Sequence, residues 1–595
     1  MYCPECGNRL ADGELFCSEC GTKVVFEPEA ESISFAAAAA NVANETTEYT
    51  APSPCQEEED DCGVPICVRG FILTNAALLS KRLGVSKEGL VSLLQAYIKG
   101  MRQLGVRYLL LDASDYTYAK KPLIGKPKHV SLGEHAAWYE YADILKDQHD
   151  AEVRAKADES EYVFIIGGEM DVPMPRLRHF FQNSHDKTFD TDLLYAYPYG
   201  KEMEEKLLNQ ELFKYDALFY VGRLPIAKDG NIDDLTGYLQ QVLDNRCAVP
   251  QQMAYAQCDP HWQKVTAAIT KEIAECGLFP SYTQPIPREV MTPSKIFLTP
   301  AVVCDDDDTH PLFNPNATYY FFNMHGGAGK SDYGFYGADM NNRGMYQGMS
   351  PTLIQQAQQP NLFFTQACYG GRFVGYRKHE STVLTALAAN TLAYVGSSRV
   401  AYGAVDSNSQ QVALSSSDVL AQVYNHCILA GCTAGASLFQ ARIATFKRRP
   451  GDLVHALTIA EFNLYGEPLV HIAAADKHVA YSGDKHAVLA QDAQVAPLHE
   501  EVLMDKSAGA QSLLSQVRQA VDRNIMAISS AIAKSLYAQY GMEAREPLIV
   551  SRYAYADGHK ELRFVYPPTD AGAMQSEMHV QTNEQGEILQ VSATK

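Results

Sequence analysis

Two residues in this chain carry the side chains a thiol-based acyl transfer needs, and each stands at the end of an apolar run. Thr318–Met324 leads directly into His325-Gly326-Gly327, and Asn361–Gln366 leads into Ala367-Cys368-Tyr369-Gly370-Gly371. A cysteine thiolate attacks a carbonyl carbon, and an imidazole takes or returns the proton. Glycine after His325 and small residues around Cys368 let backbone approach a substrate, and the amides of Gly326 and Cys368 are the natural donors to an oxyanion. Taken alone, a histidine at a strand end is usually structural and a cysteine after an apolar run is usually a small core residue. Their pairing, each closing a strand, favours chemistry.

Those runs are rich in aromatic and β-branched residues and are of strand length, as expected of buried parallel strands. Such strands deliver their last side chains to the carboxyl edge of an α/β sheet, where ligands bind. The 43 positions from His325 to Cys368 leave room for a crossover and for the Gly-rich loop Gly327–Gly348. Further elements fit an α/β architecture. Ser86 is placed to cap a helix whose Leu90, Leu93, Leu94, Tyr97, Ile98 and Met101 form one stripe, and Val106–Leu111, Tyr162–Ile166 and Ala217–Val221 read as strands.

The pattern of hydrophobic block, His-Gly, spacer, second block and Ala-Cys resembles the gingipain-like branch of the caspase-type cysteine peptidases. Five further stretches are similar to landmarks of that family: Tyr162–Pro173, Asp190–Tyr195, Tyr220–Pro225, Ala393–Ser398 and Asn463–Leu469. The resemblance spans roughly residues 155 to 472. It implies an open caspase-like sheet in two adjoining α/β subdomains and hydrolysis of peptide bonds in a protein or peptide substrate. It also implies a supporting acid at Asp259, whose alternative role is to cap a turn or helix. Arginine-specific relatives carry an acid where this chain reads Pro260-His261-Trp262. Lysine-specific relatives place one after the Gly-Ser-Ser turn, which here suggests Asp406, with Ser397 in the turn and Tyr402 as an aromatic wall. A basic P1 residue is the favoured reading, and an apolar one, with Trp262 lining the pocket, is the alternative. Family members bind structural calcium. Asp305–Asp308 offers oxygen ligands, but consecutive side chains alternate in direction, so a solvated loop is preferred to a calcium site.

At the N-terminus, Cys3-x-x-Cys6 and Cys17-x-x-Cys20 are separated by ten residues, and each is followed by glycine. This spacing predicts a zinc ribbon with four thiolates on one structural zinc, whose binding supplies the folding energy that so short a segment lacks. Residues 25–67 read as a disordered acidic linker, with no Lys or Arg between Lys23 and Arg69. The remaining domains are expected at 68–245 and 246–475, the second being catalytic, with a C-terminal α+β accessory domain at 476–595 containing an amphipathic helix near 513–536. No internal repeat is apparent.

At 595 residues the chain exceeds the about 250–300 residues of a single core. A net charge of −21 without a basic stripe argues against nucleic acid and anionic membranes. No run approaches the roughly 18 apolar residues of a membrane span. The start at Met1-Tyr2-Cys3 leaves no space for a signal peptide, and the 14 cysteines show no disulfide framework, so a reduced, cytoplasmic protein is expected. Protein partners could dock on the ribbon or the C-terminal domain. The competing reading is a catalytically silent caspase-like scaffold that uses those two modules for interaction.

Overall fold

A computed structural model of the chain describes most of residues 64–473 together with strands within 499–505, 549–555, 560–566, 577–582 and 588–594. In the first span it leaves out 121–127, 134–135, 182–183, 185, 283–284, 300–311, 328–332, 339–343 and 405–413. The zinc-ribbon cysteines Cys3, Cys6, Cys17 and Cys20, nearly all of the linker, Asp305–Asp308, Asp406 and the 513–536 segment therefore lie outside the described residues.

Ten strands form one sheet: β1 Val68–Thr74, β2 Val106–Asp112, β3 Tyr162–Ile166, β4 Tyr220–Leu224, β5 Ala254–Cys258, β6 Phe297–Leu298, β7 Tyr319–Asn323, β8 Asn361–Thr365, β9 Thr391–Ser397 and β10 Phe462–Gly466. Their order is β6-β5-β7-β8-β9-β10-β4-β3-β1-β2. Every neighbouring pair is parallel except β9 and β10. The sheet thus consists of two parallel blocks of opposite polarity, and their carboxyl edges face opposite ways. All five residues of β3, β7 and β8 are buried, which accounts for their unbroken apolar character.

Helices cover the sheet where the periodicity places them. In Lys87–Gln103 the Ser86 hydroxyl accepts the Gly89 amide at 3.0 Å, and Leu90, Leu93, Leu94, Tyr97 and Met101 are buried. Ile98, expected on the same stripe, is only half-buried because it lies at its margin. Ile232–Asp244 is closed by a reciprocal Asn231–Asp234 capping box and ends at Asn245, where the first lobe was expected to stop. Among the described residues, no helix is long and apolar enough to cross a membrane.

Beyond the main sheet, five C-terminal strands and one borrowed strand make a six-stranded antiparallel sheet. Its order is Tyr402–Ala404, Ile588–Thr594, Glu577–Thr582, Lys560–Val565, Ile549–Ala554 and His499–Asp505. The first of these belongs to the loop that follows β9. Phe181, Tyr402, Tyr553 and Tyr555 lie in the same continuous hydrophobic cluster as the main sheet, so the C-terminal sheet packs on the body that the main sheet forms.

Candidate active site

The strands β7 and β8 are parallel neighbours, with Phe322 opposite Thr365. His325 and Cys368 each follow the end of their strand by two to three residues, so they emerge together at one carboxyl edge. After Met324 the chain turns into the short strand His325–Gly326, which pairs with Phe335–Ala338 in a hairpin. A Cβ on Gly326 would lie 1.8 Å from the Cys368 carbonyl oxygen. Only glycine permits this contact, so the His-Gly dipeptide and the cysteine turn are packed backbone to backbone.

The turn at the thiol is tight. The Thr365 hydroxyl accepts the Ala367 amide at 3.1 Å, and Tyr369 adopts a left-handed φ of 56°. An aromatic residue in that region carries strain, held here by the Tyr369 amide on Arg399 O at 2.8 Å and the Gly371 amide on Ser397 O at 2.7 Å. The Tyr369 hydroxyl donates to Asp186 at 2.9 Å. Cys368 is only 1% exposed. Its Sγ accepts the Ala401 amide at 3.2 Å and lies 3.7 Å from the Ala401 carbonyl oxygen.

Behind the imidazole stands Asp259, fully buried, with Oδ2 3.6 Å from His325 Nε2. The same oxygen accepts the Ala338 amide at 2.6 Å, while Oδ1 accepts the His261 amide at 2.8 Å and faces His261 Nδ1 at 2.7 Å. Asp259 therefore also caps the single turn Pro260–Trp262, so both of its expected roles coexist. The His325 side chain is about one-third open at 31% exposure. Its ring packs against Trp262, with centroids 4.5 Å apart and the planes tilted by 54°.

A cleft of about 320 Å³ opens beside Cys368. Cys368, Gly370, Tyr333, Arg372, Tyr376 and Glu380 line it, and Arg372 stacks on Tyr369 and Tyr376 at 5.5 and 5.1 Å.

Three residues expected to bind substrate are not among those lining this cleft. Tyr402 does not wall this cleft: it is fully buried against the C-terminal sheet, edge-on to His579 at 5.3 Å, and its hydroxyl donates to Glu577 at 3.0 Å. Ser397 is buried too, its hydroxyl donating to Arg399 O at 3.0 Å inside the turn. Trp262 is 4% exposed and contacts the imidazole, because the short turn started by Asp259 swings the indole toward His325. Asp406 lies outside the described residues. The Ala401 contacts to the thiol had no sequence signature, since they are made by backbone. The Trp262 contact was foreshadowed only by its nearness to Asp259.

The family landmarks meet in one buried hub. Arg223 of β4 forms a two-pronged pair with Asp192, both contacts 2.7 Å, and donates to Gly167 O and Val172 O at 3.1 and 2.8 Å. Asn463 accepts the Asp192 amide at 2.8 Å and donates to Asp190 O at 3.2 Å. Arg399, just past the Gly-Ser-Ser turn, pairs with Asp190 at 2.6 Å. No group of three or more His, Cys, Asp or Glu among the described residues is placed to hold a metal.

Comparison with known proteins gives a zinc-ribbon domain over residues 2–24, as the paired knuckles predict. No curated protein sequence matches the chain. Among solved structures, a protease shares 10% identity over 89% of this chain and 91% of its own, with a TM-score of 0.42. The Arg-specific cysteine proteinase gingipain R shares 11% over 91% and 93%, also at a TM-score of 0.42. In a Saccharomyces cerevisiae separase–securin complex, one chain shares 10% over 58% of this chain and 18% of its own, at a TM-score of 0.28.

Proposed function

We propose that the chain is a cysteine endopeptidase in which Cys368 is the nucleophile and His325 its proton partner. The observation that carries this reading is the delivery of thiol and imidazole from adjacent parallel strands to one edge, locked by the Gly326 contact with Cys368. The thiolate adds to the scissile carbonyl carbon, and backbone amides at Gly326 and Cys368 take the developing oxyanion. His325 protonates the leaving amine, and water then releases the acyl group. Asp259, through its carboxylate, and Trp262, through a tilted ring contact, hold the imidazole in place.

For selectivity, a basic P1 pairing with Asp406 is the sequence-based reading. It is tested by profiling Asp406→Asn against Lys, Arg and apolar substrates, where unchanged selectivity refutes it. The ribbon is proposed to hold one structural zinc on Cys3, Cys6, Cys17 and Cys20. Elemental analysis should find one zinc per chain and none after Cys-to-Ser replacement of the four.

The deciding experiment for the enzyme reading is covalent labelling with a peptidyl acyloxymethyl ketone. Wild type should label at Cys368 and cleave peptide, while Cys368→Ala should do neither and keep its circular dichroism and melting temperature. Full peptidase activity in Cys368→Ala would overturn the assignment, and a correctly folded wild type that neither labels nor cleaves would favour the scaffold reading.

A further inference from the structure

The residue that touches the thiol is one position away from a strand that the C-terminal sheet has taken in. Tyr402–Ala404 pairs antiparallel with the end of the chain, Tyr402 opposite Thr594, Gly403 opposite Ala593 and Ala404 opposite Ser592. Ala401, immediately before it, donates its amide to Cys368 Sγ at 3.2 Å. Any shift of the borrowed strand is therefore passed to the thiol through a single peptide unit.

Two side-chain links hold that strand. In the first, Tyr402 donates to Glu577 at 3.0 Å, and Glu577 is itself gripped by Arg563 through contacts of 2.7 and 2.9 Å. Both ion-pair partners are buried. Burial alone would push the Glu577 carboxyl upward, but Arg563 and His579 outweigh it and hold it well below the usual carboxylate range. In the second, Ser592 and Ser415 share a hydroxyl contact of 2.6 Å. The buried Asp418 then accepts the Ala404 amide at 2.5 Å and the Ser415 amide at 3.3 Å with one oxygen, and Gln366 Nε2 at 2.9 Å with the other. Gln366 precedes Cys368 by two residues, so this link reaches the turn that carries the nucleophile.

We propose that the C-terminal sheet is a positioning element for the nucleophile: with Tyr402–Ala404 as its edge strand, it holds the Ala401 amide against the Cys368 sulfur. A donated N–H favours the charged form of its acceptor, so the docked sheet raises the thiolate fraction. Without it, Tyr402–Ala404 would be a three-residue strand with an open edge. Glu577 and Tyr402 act through Ala401 and are positioning residues. The role assigned to the thiolate rests on the peptidase reading, but the sulfur's reactivity can be measured without it.

The test uses the full chain and the rate of Cys368 alkylation by iodoacetamide against pH, read by mass spectrometry of the Cys368 peptide. Tyr402→Phe keeps the ring contacts and removes the bond to Glu577; Glu577→Gln removes the ion pair. Neither alters His325, Asp186 or Tyr369 around the nucleophile. Expected results are alkylation about tenfold slower at neutral pH, a rate profile displaced upward by about one pH unit, and kcat lowered with KM nearly unchanged. Ser592→Ala, acting through the second link, should shift the profile in the same direction and serves if Glu577→Gln does not fold. Unchanged or faster alkylation in variants whose C-terminal sheet exchanges its amide hydrogens more rapidly would overturn the proposal, the faster rate meaning that the sheet shields the thiol. Loss of peptide turnover in every form, with the alkylation shift intact, would defeat the peptidase reading alone.

Discussion

The two carboxyl edges of the sheet are built from the same kind of strand and end differently. At the edge of β1–β4 the charged side chains are paired within the fold. Asp112 accepts the Ala76 and Ser114 amides and pairs with Lys87 at 2.9 Å, Asp171 is gripped by Arg82 and the Gly168 amide, and Arg223 is enclosed by Asp192 and two carbonyls. At the edge of β5–β9 the imidazole is partly open, a strained turn carries the thiol, and a cleft lies beside it. Rows of charged residues at strand ends are thus poor indicators of chemistry. Residues held from behind while facing a cleft are better ones, and strain beside them strengthens the case.

Substitutions at the two edges should separate these roles. The largest effect is expected at His325→Ala, which should lower kcat/KM by about 10²–10⁴-fold with little change in melting temperature. Arg223→Met leaves Asp192 as an uncompensated buried charge and should cost about 3–5 kcal/mol in chemical denaturation, with kcat per folded molecule unchanged. A selective loss of kcat in Arg223→Met would erase the distinction between the edges.

Next comes Glu467, just past β10. It is buried, accepts the Tyr97 hydroxyl at 2.7 Å, the Tyr108 hydroxyl at 2.5 Å and the Leu469 amide at 3.2 Å, and burial pushes its carboxyl up to about 7, against the pull of these donors. The folded protein therefore holds this proton to higher pH than the unfolded chain does. Its contribution favours folding at low pH and is lost as pH rises from the ordinary carboxylate range through 7, by an amount on the order of 3 kcal/mol. Unfolding midpoints in wild type should fall across that window by more than in Glu467→Gln, and identical slopes would refute it. The smallest effect is expected at Asp259→Asn, which keeps the Oδ1 cap but removes the charge facing His325 and the acceptor for the Ala338 amide. A drop in kcat of about tenfold, with the acid limb of the pH–rate profile displaced downward, would mark Asp259 as an orienting group. An unchanged profile would leave it as a cap alone.

Much of this was readable in the residues. The strands ending in His325 and Cys368 announced themselves because fully buried strands have unbroken apolar runs, and the helix over Lys87–Gln103 because its stripe and Ser86 cap agree. The landmark stretches around Asp192, Arg223 and Asn463 were recognisable as sequence, but that they meet in one ion-pair hub is a matter of tertiary topology. Tyr402 was misplaced for a similar reason. The resemblance made it a pocket wall after the Gly-Ser-Ser turn, yet strand pairing with Ile588–Thr594 draws the ring away. Long-range pairing leaves no local pattern, and backbone donors such as Ala401 leave none at all.

The position of β10 has a consequence for how the chain comes off the ribosome. β10 joins β4 with Tyr465 opposite Arg223, a pairing across about 240 positions. At roughly 5–20 residues per second, β4 waits some 12–50 s for its neighbour during synthesis, with an unpaired edge that invites misassociation. The strand that seats Tyr402–Ala404 arrives later still, in Ile588–Thr594. Nascent chains therefore finish the strand that leads to Cys368 long before they can complete its surroundings. On the peptidase reading, with the C-terminal sheet positioning the thiol, synthesis in this order leaves Cys368 without the Ala401 support until Ile588–Thr594 has been made.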